Sequence, residues 1–463
     1  MMKEILPQGE LEKFDLINLT HAIRKVVSIP YQELQQELEK YVFPRLDFMA
    51  GSEDSPRFFV FEKHYVETEW KDMISTHYIN TSYEVKNTVM RIHLFIGENL
   101  DADLYGGCFT LRTINETQIM LSYIYPNWKY LEYNNRPVNA MTYKKKVHIN
   151  GVEIVFYTYP LFVQDNVVVA CAQACLISMS KYLHSQYDYS KIRIGNINNS
   201  YHSNKTKIYP SQGLLPTQML EILYNHNIPC GYQVYKKNPE EFKEYIDYCV
   251  ESAIPVLVGL HIRDEKDESK AKRHVIQIIG HSSALDGKRY LVYDDSGYYL
   301  KQLIMNDNVG FVDLVDWNTL CEGLEANKSF IIYPIHEKVY ILYDNFKKHM
   351  DDMLQKLNMS KVMGDQGDSS KRRTLLVDNR EVKRFLYENM VRSTTIVQDI
   401  HKEAMRLLQI NMPHYLWCCE YSTSMGNMLF IADPTYNRRT TKNIFLNKVP
   451  LICDKQIGLL KYE

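Results

Sequence analysis

The sequence has no run of 18 consecutive apolar residues, no apolar h-region after Met1, no CxxC pair and almost no surplus of either charge. The first two absences leave nothing that reads as a membrane span or a secretory signal, so the expectation is a cytoplasmic protein. With 54 basic and 56 acidic residues the formal net charge is −2, which gives no basic field to gather nucleic acid or an anionic membrane surface. Neither is expected as a partner. Nine cysteines, odd in number and irregularly spaced, do not make a disulfide framework and read as reduced thiols. Cys418 and Cys419 are adjacent, with no second pair to complete a metal knuckle, so no metal or other cofactor is expected. What is present is an ordinary globular composition, 45% hydrophobic and 24% charged. The 35 tyrosines are scattered through strand-like segments and read as half-buried sheet positions.

A chain of 463 residues exceeds one typical core and suggests about three domains. Apolar residues recur at helical spacing from Leu11 to Arg45, interrupted by Pro30. From Phe58 to Tyr159 the pattern turns to strands and includes an Asn150-Gly151 hairpin turn, which makes 1–159 a mainly β N-terminal domain. Its role is not readable. Residues 160–340 open with an apolar helix from Cys171, then a long polar connection from Asp188 to Gln212, and helices over 216–225 and 242–252. Strands follow at 254–262, 274–280 and 289–295. The charged run Arg263–Arg273 between the first two predicts an exposed loop. Residues 341–463 comprise a helix over 341–358, a flexible linker at 359–373, and an α+β module beginning near Thr374. Its opening segments, 382–390 and 396–408, are expected to be helical, with strands at 416–421 and 428–432.

The chemistry concentrates near residue 171. A thiol in the first turn of a helix feels the positive end of the macrodipole and the unpaired N–H groups there, both of which favour the attacking thiolate. Cys171 occupies that position, and the small or apolar residues after it mark a buried helix. Cys175, one turn on, reads as a core residue. A cysteine nucleophile needs a base and a group that orients the base. If 274–281 and 288–295 pair as an antiparallel hairpin around the loop 282–287, His274 falls opposite Asp294 or Asp295. A one-residue change of register exchanges the two, so both stay open at this point. His281, beside the turn and far from both aspartates, is the weaker candidate base.

Gln164, then Cys171 followed by Ala174 and Leu176, resembles the papain-like cysteine peptidases, in particular the bacteriocin-processing, double-glycine-leader peptidases. The resemblance covers roughly residues 160–300. Ala172 stands where that family usually has Gly, and the Gln164 to Cys171 spacing is one residue longer. The resemblance implies an α+β papain-like core with a helical first half and an antiparallel-sheet second half. It also implies Asp294 as the orienting residue, and Gln164 with the Cys171 N–H as the oxyanion donors. The expected activity is a cytoplasmic thiol hydrolase, a peptidase acting on peptide or protein amide bonds through a thioester. The same Cys171–His274–Asp294 triad also serves isopeptidases, deamidases and transglutaminases, and a catalytically inactive binding protein is the reading from another class. Substrate identity and oligomeric state are not encoded in any of these signals.

Overall fold

Among the described residues, the hydrophobic patterning condenses into four antiparallel sheets and a set of helices in the computed structural model of the chain. The structure describes Gln32, Gln35, Gln36 and residues 58–80, 85–95, 102–112, 119–124, 132–133, 136–149, 151–165, 168–201, 213–264, 267–284, 287–296, 312–357, 372–391, 398–423, 426–435, 444–447, 450–453 and 457. The helices expected before residue 45 lie almost wholly outside the described residues. No described helix is long and apolar enough to cross a membrane. The architecture is mixed α and β, as an α+β chain requires.

Five strands form the first sheet: β1 (Phe58–Tyr65), β2 (Val89–Phe95), β3 (Tyr105–Leu111), β4 (Ile119–Ile124) and, after a break, Leu161–Phe162. Helix α1 (Thr68–Thr76) follows β1. A strand pair, β5 (Glu132–Tyr133) with β6 (Arg136–Ala140), leads to the hairpin of β7 (Tyr143–Ile149) and β8 (Val152–Thr158). Residues along β7 alternate between buried and more exposed, the period-2 signature of a half-buried ribbon. The turn uses Gly151 at φ +86, a conformation that side chains with a Cβ disfavour.

After β9 (Leu161–Phe162) come α2 (Cys171–Tyr187), α3 (Ile194–Tyr201), α4 (Pro216–Asn225), β10 (Cys230–Val234) and α5 (Pro239–Glu251). The polar connection expected over 188–212 therefore contains a helix. Ile194 and Ile197, each 1% exposed, supply its buried side at i and i+3. Then follow β11 (Val256–Asp264), β12 (Asp267–Ala284), β13 (Gly287–Tyr293), β14 (Val312–Asp316), α6 (Trp317–Glu322) and β15 (Phe330–Pro334). With β5 and β6, which join it at β12, these strands make the largest sheet described, its main path running β10-β15-β11-β12-β13-β14.

Two features of β12 correct the sequence reading. The charged run is not a loop, because Ile262 pairs with Lys272 and Asp264 with Asp267, so the run is β11 and β12 continuing as a ribbon. Charged side chains suit a strand edge that must resist further pairing, and this is why polarity alone misassigns it. Second, β12 is paired on one edge first by β11 and then, at Gly280–Ser282, by β6. Gly280 is required there, since a Cβ would lie 2.3 Å from the Asn139 carbonyl oxygen.

The chain divides into two compact units, Met1–Pro239 with Pro255–Pro334, and Glu240–Ile254 with Ile335–Glu463. The division expected at 159/160 falls inside the first unit, where β6 joins the sheet of β12. The expected division at 340/341 lies close to the second seam, but residues Glu240–Ile254, which hold most of α5, go with the second unit. There Tyr248 stacks on Tyr343, ring centroids 4.5 Å apart, at the start of α7 (Tyr343–Lys356). The second unit continues with β16 (Arg372–Asp378), α8 (Asn379–Leu386), α9 (Gln398–Gln409), β17 (Tyr415–Thr423), β18 (Gly426–Ala432) and β19 (Leu451–Cys453). Its sheet runs β16-β17-β18-β19. The module opens on a strand and not a helix, and Arg372 and Arg373, expected in the linker, are the first residues of β16. Arg373 bridges the carboxylates of Glu251 (2.6 Å) and Glu420 (2.9 Å), so a buried charge draws those residues into the ladder. The rest of the expected linker lies outside the described residues.

Candidate active site

Helix α2 begins at Cys171. Its first intrahelical bond runs from the Ala174 N–H to the Ala170 carbonyl (3.0 Å), which leaves the Cys171 and Ala172 N–H groups ahead of the ladder. The Gln173 side-chain oxygen accepts from the Ala170 N–H at 3.1 Å and closes the entry to the helix. The following turns are buried nearly all round: Ala172, Ala174, Cys175, Leu176, Ile177 and Met179 are at most 1% exposed. Each of the large apolar side chains among them contributes about 1.5–3 kcal/mol on burial. Ser178 sits against β9, where its hydroxyl accepts from the Phe162 N–H (3.1 Å). Cys171 itself is half-buried, at the open end of the enclosed stretch that runs from Ala172 to Ser180.

The approach to the helix is rigid. Asp165 accepts the Val168 and Val169 N–H groups on one oxygen (2.9 and 2.8 Å), and its other oxygen receives the Tyr78 hydroxyl (3.1 Å) and faces Arg112 (3.5 Å). On the preceding side, Val163 donates to the Met120 carbonyl and accepts from Arg112. Gln164, half-buried, is thus held between two anchored residues. Asp165 is a site-building residue that the sequence reading missed. An Asp followed by backbone donors at i+3 and i+4 is a local turn signal that could have found it.

His274 lies on β12, 4% exposed. Its Nε2 is 2.7 Å from Asp294 Oδ1 and 3.7 Å from Asp295 Oδ1. The Cys171 thiol hydrogen-bonds to the same ring. With Nε2 engaged by Asp294, Nδ1 is the nitrogen available to the thiol. Burial pulls the imidazole pKa down, but the Asp294 charge, the Cys171 charge and the hydrogen bonds to both outweigh it and hold His274 well above its ordinary value. Asp294 Oδ1 also accepts the Ser296 N–H (3.1 Å) and the Ser296 hydroxyl (3.0 Å). Ser296 is a second residue that sequence reasoning passed over, although Asp-x-Ser is a common Asx-turn signature.

The hairpin reaches this arrangement by a different register from the expected one. His281 pairs with Tyr290 and Ser283 with Lys288, and the turn lies between Ala284 and Gly287. The register shifts between Ile278 and Gly280, and the ladder ends at Gln277–Tyr293. Asp294 therefore lies past the strand end, turned back by its bonds to Ser296. His281, seven residues further along β12, pairs with Asn139 of β6 and Tyr290 of β13.

Cys175 is fully buried, with its Sγ 3.5 Å from the Val275 carbonyl. Burial, followed by the charges of Asp295, Cys171 and Asp294, pushes its thiol pKa far up. His274, Asp294 and Asp295 also form the one His/Cys/Asp/Glu cluster among the described residues with donor atoms close enough for a metal ion, within 4.8 Å of one another. An ion there would compete for the His274 nitrogen that Asp294 now holds. The chain matches no family model, and no curated protein matches it.

Proposed function

We propose that this protein is a thiol hydrolase with a papain-like core, acting as a peptidase on peptide or protein amide bonds. The observation that carries the reading is a half-buried thiol at the N-terminus of a buried helix, hydrogen-bonded to an imidazole that a buried carboxylate holds from behind. That is the nucleophile, base and orienting group in one line.

In the proposed reaction His274 takes the Cys171 proton, and the thiolate adds to the amide carbonyl carbon. The oxyanion is met by the Cys171 N–H and Gln164. Collapse breaks the C–N bond, with the imidazolium proton leaving on the amine, and a thioester remains. His274 then deprotonates a water that attacks the thioester, releasing the acid and restoring the thiol. Asp294 keeps the imidazole oriented and balances its charge. Deamidation, isopeptide cleavage and transfer to an amine use the same thioester, and product analysis separates them. The cytoplasm is part of the proposal, supported by eight free cysteines among the described residues.

The test is a pair of substitutions. Cys171→Ala should abolish thiol-dependent amide hydrolysis with the fold intact, whereas Cys175→Ala should retain it. Hydrolysis that survives in Cys171→Ala would overturn the reading.

A further inference from the structure

A second buried set of titratable groups lies in the first unit, away from the proposed catalytic residues. Glu67 and Glu69 stand at the start of α1 and Lys181 arrives from α2, ten residues after Cys171. Lys181 Nζ is 2.5 Å from Glu69 Oε1 and 3.9 Å from Glu67 Oε1. Both carboxyl groups thus lie within 4 Å of one ammonium in a buried site, where two negative charges repel each other and a proton on one of the pair relieves that repulsion.

We propose that Glu67, Glu69 and Lys181 form a one-proton clamp that fastens the nucleophile helix to the start of α1, and that alkaline pH opens it. With the proton present, one carboxylate faces one ammonium and the buried charge is balanced. Without it, two carboxylates share the one ammonium within 4 Å of them, with Lys145 acting on Glu67 from further off, in a site that admits little water.

The proton belongs to Glu67. Burial, then the hydrogen bond to Glu69, push its pKa up to about 8, with Lys181 opposing. Burial would raise Glu69 too, but the Lys181 charge and the bonds from Glu67 and Lys181 outweigh it and hold it at about 2. The surroundings contribute further charges. Lys145 on β7 attracts Glu67, and burial lowers its own pKa. Tyr143 on β7, Tyr123 on β4 and Tyr65 on β1 are all pushed up by burial and stay neutral. Arg91 on β2 and Cys108 on β3 act on Tyr65 and Lys145. Asp72 on α1 faces Glu69, with Arg193 beyond it.

The direction of the pH effect follows from linkage. Glu67 is raised in the fold, so its stabilisation is complete below its ordinary value of 4.5 and is lost as pH climbs towards about 8. Glu69 works oppositely, and its contribution disappears only as pH falls from 4.5 towards about 2. Between pH 6 and 8, one proton bound by the fold up to about pH 8 and not by the unfolded chain costs about fiftyfold in the folding constant.

The experiment compares the full chain with Glu67→Gln, which keeps the hydrogen-bond donor and leaves Lys145 in place. Both proteins keep the His274 contribution, so the difference between them reads Glu67: the unfolding free energy of wild type should fall across pH 6–8 more steeply than that of the variant, by the equivalent of about fiftyfold in the folding constant. Parallel pH curves would overturn the clamp. If the variant fails to fold, wild type alone decides through amide exchange. Protection around Lys181, corrected for the intrinsic pH dependence of exchange, should drop between pH 6 and 9, and a flat profile would overturn the proposal. Neither readout depends on thiol activity, so the clamp and the proposed function stand or fall separately.

Discussion

Cys171 and Cys175 lie one turn apart on the same helix, and almost everything that governs a thiol differs between them. Cys171 has helical N–H groups ahead of the ladder, partial exposure and an imidazole partner. Cys175 has a satisfied backbone, no exposure and the Val275 carbonyl oxygen 3.5 Å from its sulfur. The nearby carboxylates, Asp294 and Asp295, have opposite effects on the proposed machinery. Through His274 the Asp294 charge favours an imidazolium, the partner a thiolate needs, while their direct effect on Cys175 is to oppose ionisation. On the proposed mechanism, the reactivity of each thiol is set by which group stands between the carboxylate and the sulfur.

The sharpest way to break this comparison is to remove one sulfur at a time. Cys171→Ala should lower kcat/KM by about 10⁴-fold or more, since losing a nucleophile leaves only binding and oxyanion stabilisation. Asp294→Asn should come next, at roughly 10³–10⁴-fold, because the imidazole loses its orientation and its charge partner. The same variant should change the pH dependence of stability. His274 is raised in the fold, so its stabilisation is complete below its ordinary value of 6.5 and is lost as pH rises through the raised value. Denaturation curves from pH 6 upwards should show that decline in wild type and a weaker one in Asp294→Asn. Gln164→Ala should cost about a hundredfold to a thousandfold in kcat while Cys171 alkylation continues at its former rate. The smallest effect belongs to Cys175→Ala, about 1–2 kcal/mol of stability by thermal denaturation, with activity retained.

The sequence carried the local signals well and the long-range ones poorly. Helix α4 begins and ends where its spacing and the N-terminal Pro216 indicate, and the Asn-Gly signal marks the β7–β8 turn. The half-buried thiol at a helix start was legible because nearly all the residues from Cys171 to Met179 are small or apolar. Strand order was not. That β6 would cross to β12 depends on a close approach at Gly280, which no periodicity encodes. That α5 belongs with Trp417 and Tyr343 depends on aromatic contacts between residues far apart in the chain. The choice between Asp294 and Asp295 turned on a single register shift near Ile279 and on the turn closed by Ser296, and a one-residue bulge leaves no trace in hydrophobic pattern.

Site-resolved alkylation of the wild-type protein tests the central claim most directly. Native chain is treated with a limiting amount of iodoacetamide at pH 7, quenched over a time course and mapped by mass spectrometry at all nine cysteines. The account predicts that Cys171 is modified first and well ahead of the others, that Asp294→Asn slows it, and that Cys175 is modified only on unfolding. Modification of Cys171 at no more than the rate of the other half-buried cysteines, Cys230 and Cys321, would contradict it.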